Sequence, residues 1–148
     1  MLKVRCQAHA TLDVKGRLAL PSPLRRALED AGVASLVLTF SNESVWGWEP
    51  TVFEEKVEKP MLAADPFAPD VMDFAHALLA PAQDVEVDGQ GRIRIPPPLR
   101  DLAGLDKDVV VNSFLDRVEI WDRARWEERF KQSLARGGGA RGMPGRGA

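Results

Sequence analysis

The sequence predicts an α+β fold, predominantly β, assembled from two tandem copies of one unit. Three observations carry this. The segment DVKGRLALPSPLRRAL, starting at Asp13, recurs as DGQGRIRIPPPLRDLA, starting at Asp88, 75 residues on and with seven identical positions, a match chance does not produce. Apolar and polar residues alternate over strand-length stretches around each copy. The intervening stretches open on proline and close near glycine, which suits helices of only two or three turns. The similarity resumes downstream, where Val45, Trp48, Glu54 and Glu55 correspond to Val118, Trp121, Glu127 and Glu128 at an offset of 73. Two residues have therefore been lost between these stretches of the second copy.

In chain order, QAHATL alternates into a turn at Asp13 to Gly16. There an aspartate can accept hydrogen bonds from the backbone ahead of it, and glycine takes a positive φ. The next strand, RLAL, sets Leu18 and Leu20 on one side and Arg17 and Ala19 on the other, predicting a hairpin with one basic face. Pro21 ends the strand, Ser22 is read as an N-cap, and Pro23 suits the first turn of a short helix reaching about Ala31. Gly32 stops that helix. SLVLTF and SVWGW then pair around Asn42, with DVVVNSF and RVEIW as their counterparts. An acidic helix at residues 50–59 and its counterpart at 122–135 follow, with Phe53, Val57, Trp126 and Phe130 as the buried stripe. A connector helix, Asp70 to Leu79, carries Val71, Phe74, Leu78 and Leu79. The units span residues 5–60 and 81–135, a connector 61–80, and a Gly/Arg tail 136–148 expected to be disordered.

Composition narrows the chemistry. A chain of 148 residues with one cysteine has no intrachain disulfide, no cysteine-based zinc site and no CxxC pair. The two histidines offer no metal cluster, and His9, His76 and Cys6 are read as structural. No run approaches the roughly 18 apolar residues of a membrane span, and MLKVRCQAHATL lacks a secretory core, so a cytoplasmic location is expected. Catalysis finds little support: Asp13 and Arg17 could form an acid/base pair, but an aspartate opening a tight turn more often stabilises the turn. No GxSxG, HExxH or P-loop is present. Neither catalytic residues, nor a metal, nor a cofactor is expected.

Charge is segregated. Net charge is −2, yet residues 49–87 carry nine acids against Lys56 and Lys59, whereas residues 3–26 carry six bases against Asp13 alone. Such a distribution gives an acidic protein one basic face. Lys15 and Arg17 in the first copy, and Arg92 and Arg94 in the second, are candidates for contact with double-stranded DNA, because a two-stranded β-ribbon enters the major groove and arginine reads guanine there. One charged hairpin would also serve to keep an edge soluble; its duplication favours binding. Arg25, Arg26 and Arg100 read as solvated helix charge, and the tail arginines Arg136, Arg141 and Arg146 as solubilising. The four tryptophans are placed in the core or at a subunit interface. A second reading keeps the hairpins for oligomeric assembly or partner docking without DNA, and a third, an antitoxin acting through its tail, lacks apolar anchors there.

The residues DVKGRLALPSPLR, DGQGRIRIPPPLRDLAGLDKDVVV and VEIWDRARWEE closely resemble the MraZ family, over about residues 5–133. The resemblance implies two SpoVT-AbrB-type swapped-hairpin units forming a pseudo-twofold β-barrel with flanking helices. It also implies a homo-oligomeric ring, and regulation of transcription through direct repeats upstream of a division and cell-wall gene cluster, in the cytoplasm and at the nucleoid. Carried over, the DNA-facing motif positions are Asp13, Lys15, Gly16 and Arg17, and Asp88, Gly91 and Arg92, the aspartates and glycines shaping the turns. Arg5 keeps the basic residue of the family's start and is counted with the expected DNA contacts, while Cys6 replaces its small glycine.

Overall fold

Strand pairing crosses between the two copies. The computed structural model describes residues 3–145, with β1 (Cys6–Thr11), β2 (Arg17–Ala19), β3 (Ser35–Ser41), β4 (Ser44–Trp48), β5 (Gln83–Glu86), β6 (Arg92–Arg94), β7 (Asp108–Phe114) and β8 (Arg117–Asp122). Only β3–β4 and β7–β8 pair within a copy. The other ladders, β1–β7, β5–β3, β4–β8 and β2–β6, join one copy to the other, and all are antiparallel. The result is a six-stranded sheet in the order β1-β7-β8-β4-β3-β5 and a separate ribbon, β2-β6. The ladders end at β1 and β5, so no closed barrel forms among the described residues.

The simple hairpin expected around each DxxGR turn is therefore corrected: β1 and β2 flank one turn but pair elsewhere. A three-residue strand gains few ladder bonds from any partner, and what decides is which partner buries its apolar face. Leu18 lies opposite Ile93 in the ribbon, both fully buried, while the polar faces of both strands stay in water. Two further bonds extend the ladder past the strand ends: Leu20 N donates to Gly91 O at 2.9 Å and Ile95 N to Gly16 O at 2.8 Å. Each strand thus closes on the opposite copy's turn.

The core lies between the sheet and a second layer made of the ribbon and two short helices, α1 (Ser22–Asp30) and α5 (Pro97–Ala103). Leu24, Leu28, Leu99 and Ala103 fill it from the helices and Leu36, Leu38, Val109, Val111 and Ile120 from the sheet. Helix α5 of the second copy lies over β3 and β4 of the first. Ser22 is not the N-cap: Pro21 holds that place, and no side chain caps the helix. Pro96 does the same for α5, so the rigid proline φ sets the chain's entry angle instead of a side-chain acceptor. The β3–β4 turn has positive φ at Asn42 and Glu43, which matches the twist of the strands it joins.

After β4 the chain forms α2 (Pro50–Phe53), widens through a π-type stretch (Glu54–Glu58) and continues as α3 (Lys59–Leu62). The connector holds α4 (Pro69–Phe74) and a second π-type stretch (Ala75–Leu79), and α6 (Arg123–Ala135) follows β8. Two members of the expected apolar stripes are corrected. Phe74 and Phe130 are exposed, 41% and 49%, each on a helix face left open among the described residues. The tail to residue 145 is exposed and holds one 3-10 turn, Ala140–Gly142; Arg146 and the end of the expected disordered segment lie outside the described residues. Among the described residues no helix is long and apolar enough to cross a membrane.

Candidate nucleic-acid interface

Each DxxGR turn is held by its aspartate in the same way. Asp13 Oδ1 accepts the backbone N–H groups of Lys15 and Arg17, both at 2.9 Å, and Oδ2 accepts Arg17 Nε at 2.7 Å. Asp88 Oδ1 accepts from Gln90 N at 2.8 Å and Arg92 N at 2.9 Å, and Oδ2 from Arg92 Nε at 3.0 Å. One carboxylate thus closes the turn and fixes the direction of the arginine four residues on. The charge pays its way locally: the Arg17 backbone N–H foremost, then its side chain and the Lys15 N–H, hold the Asp13 carboxyl at about 2, below the ordinary 3.8. Asp88 is lowered by the same set, the Arg92 N–H first.

The turn tips are in water. Val14 is 98% exposed and Lys15 is exposed beside it, as are Gly89 and Gln90 in the second turn. Because β2 and β6 run antiparallel, the two tips stand at opposite ends of the ribbon. Between them the outer face carries Arg17 opposite Arg94 and Ala19 opposite Arg92, with Leu18 and Ile93 beneath. Like charges directly opposed on a ribbon, as Arg17 and Arg94 are, are destabilising; Asp13 offsets this for Arg17 through its ion pair, Asp88 pairs with Arg92 in the same way, and Arg94 is exposed. A shallow groove of about 520 Å³ beside the ribbon is lined by Arg17, Arg92 and Arg94 together with Glu86 and Asp88.

The fold brings Lys15, Arg17, Arg92 and Arg94 to one ribbon and its ends. Arg5 it does not: that residue precedes β1, at the end away from the first turn, where Cys6 pairs with Ser113. Eight residues of extended chain separate it from Asp13, roughly 26 Å. His9 and His76 are exposed and Cys6 is half-buried, all outside the ribbon, and no group of metal-ligating side chains occurs among the described residues.

Two arginines read as solvated charge prove to belong to the turns. A Cβ on Gly16 would stand 2.8 Å from Arg100 Cζ, and one on Gly91 2.1 Å from Arg25 Cδ. Both glycines have positive φ, +79° and +74°, so a side chain there is strained by backbone conformation and would also displace the arginine against it. Each helix arginine lies across the other copy's turn, a reciprocal contact between units. The Arg100 Nε is buried without a hydrogen-bond partner in the described structure. The signal that marks these residues is in the repeat itself: Arg25 and Arg100 are one of its seven identities.

Comparison with known proteins adds a name to this geometry. A family model described as "MraZ protein, putative antitoxin-like" matches residues 78–137. The chain is similar to proteins named "Transcriptional regulator MraZ". That of Solidesulfovibrio magneticus is 38% identical over 135 residues, covering 88% of this chain and 87% of the relative. That of Thioalkalivibrio sulfidiphilus is 36% identical over 129 residues, 84% and 86%. A third, from a Nocardioides species, is 41% identical over 118 residues, 79% and 78%.

Proposed function

The chain belongs to the MraZ family, and on that premise we propose that it is a transcriptional regulator, not an enzyme, that binds double-stranded DNA through the β2–β6 ribbon. The observation that supports this most is the ribbon's composition: Arg17, Arg92 and Arg94 on one outward face, contributed by both copies, over a buried Leu18–Ile93 pair. A two-stranded ribbon fits the roughly 12 Å width of the major groove, where arginine donates to guanine O6 and N7. Lys15 at one tip grips phosphate. Asp13 and Asp88 touch no DNA; they hold the arginine forks in a fixed direction, which lowers the ordering cost on binding. The exchange of β2 and β6 between the units fits the swapped-hairpin description of the wider superfamily.

The site is read as direct repeats upstream of the division and cell-wall gene cluster, engaged by a homo-oligomeric ring. One ribbon offers few contacts, and linked copies gain affinity through effective concentration when the repeats match their spacing. The protein acts in the cytoplasm at the nucleoid and uses no cofactor, and its partners are DNA and its own copies, not a membrane. Replacing Arg17 by alanine tests this. Its affinity for its own upstream DNA should fall about tenfold or more, equivalent to about 1–3 kcal/mol for a bidentate base contact, with the circular-dichroism spectrum unchanged. Unaltered affinity in a gel-shift titration would exclude the ribbon as the reading surface.

A further inference from the structure

The copies differ most in what covers the helix after each late hairpin. In the first, Val37, Trp48, Val52 and Phe53 form a buried cluster, and Val57, Leu78, Leu79 and Ala82 pack against it. The connector is therefore the cover, and Thr39 anchors it by donating from Oγ1 to Leu78 O at 2.5 Å. Moving Val37, Trp48, Phe53, Val57 and Met61 on by 73 residues gives Val110, Trp121, Trp126, Phe130 and Leu134. Of these, Trp121, Trp126 and Phe130 form a continuous aromatic run, with ring centroids 5.6 Å apart from Trp121 to Trp126 and 5.7 Å from Trp126 to Phe130. Yet the described residues after α6, 136–145, are exposed and form no such cover. Trp126 is half-buried, Phe130 is exposed and Leu134 is 57% exposed. The counterpart of Thr39 is Asn112, a buried side chain whose Nδ2 has no hydrogen-bond partner in the described structure.

We infer that the Trp126–Phe130–Leu134 face of α6 docks on a second copy of this chain, in the groove between that copy's α2–α3 segment and its connector helix. The groove measures about 500 Å³, and Val37, Phe53, Met61, Val71 and Leu79 line it, with Leu62 at its lip, 85% exposed. Residues spaced four apart share one helix face, and such a stripe entering an apolar groove is a recurring recognition mode. Charge selects the pairing: residues 122–145 carry six bases against three acids, while residues 49–87, which contain the groove, carry nine acids against two lysines. Both surfaces occur once per chain and differ from each other. Their contact is heterologous, leaving a free α6 face at one end and a free groove at the other, so it propagates head to tail, into a ring where the rotation between copies closes and into a filament where it does not. The inference rests on the oligomeric part of the functional reading and supplies its surface.

The test measures mass by sedimentation velocity, independently of DNA. The wild-type chain sediments as an oligomer, while Phe130→Glu, which blocks the helix face, and Leu62→Glu, which blocks the groove, each sediment as monomers. Both residues are largely in water in the free chain, and Leu134→Glu serves as a second helix-face variant should Phe130→Glu lose its circular-dichroism signature. Mixing the helix-face and groove variants restores a two-chain species and nothing larger, because each retains one working surface. Oligomers that persist in all these variants overturn the assignment of the surface while leaving oligomerisation itself in place. A monomeric wild type overturns both, and variants that are monomeric but fail to form the mixed pair overturn the head-to-tail geometry. Failure of the wild-type oligomer to bind DNA counts against the ribbon alone, since the monomeric variants also lose the gain from linked copies.

Discussion

The two DxxGR copies carry equal charge and spend it differently. From Asp13 to Leu20 the first has Lys15 and Arg17 against Asp13, and from Asp88 to Ile95 the second has Arg92 and Arg94 against Asp88. The first copy sets its extra cation at the tip, where the second has Gln90; the second sets it in the strand, where the first has Ala19. The backbone bonds of the two turns repeat to about the tenth of an ångström, and the aspartate clamps and glycine–arginine contacts recur between the same positions, so the scaffold is symmetric. What it presents is not. A pseudo-twofold ribbon whose lysine and third arginine both stand at the end beside the first turn, Arg94 opposite Arg17, has a direction, which a direct repeat in DNA requires of its reader and a palindrome does not.

The largest expected effect removes the centre that both copies share. Leu18→Ala should cost about 2–5 kcal/mol of stability, the range for emptying a buried leucine site, read from urea denaturation. Because Leu18 faces Ile93 across the ribbon, DNA affinity should fall for both ends at once; loss confined to one end would show that the copies act separately. A smaller effect separates tip from strand. Arg94→Ala should cost about 1–3 kcal/mol in binding and relax preference at one base position, whereas Lys15→Ala should weaken all sequences alike and reduce the salt slope by about 1. If the two variants behave identically, the directional reading fails.

The smallest effect lies in acid. Asp13 has its folded carboxyl at about 2 against an ordinary 3.8, so it contributes stability that is fully present above the unfolded value and is lost as pH falls toward about 2. Asp88 is lowered in the same direction. Asp13→Asn should therefore flatten the stability profile between about pH 4 and pH 2 relative to the wild type, followed by thermal denaturation across that range. Both carboxylates are solvent-accessible, so screening keeps the effect modest and most visible at low salt.

The sequence by itself determined the repeat, its offset, the turn chemistry and the inward and outward faces of the strand after the first DxxGR turn, because these follow from local rules. An aspartate, a glycine and alternating side chains act within a few residues of where they stand. It also marked Lys15, Arg17, Arg92 and Arg94 as outward cations. Only the tertiary structure decided that β2 pairs with β6 and not with β1, since a period of two names the face a strand buries and is silent on its partner. It likewise decided that Arg25 and Arg100 lie across each other's turns, and that Phe130 is exposed while its counterpart Val57 is covered. An amphipathic helix shows the same stripe whether or not something lies against it, and what lies against it is a matter of chain length and path. The connector packs over the first copy's helix, while the described residues after the second copy's helix do not, and that difference in chain path becomes a surface in the folded molecule.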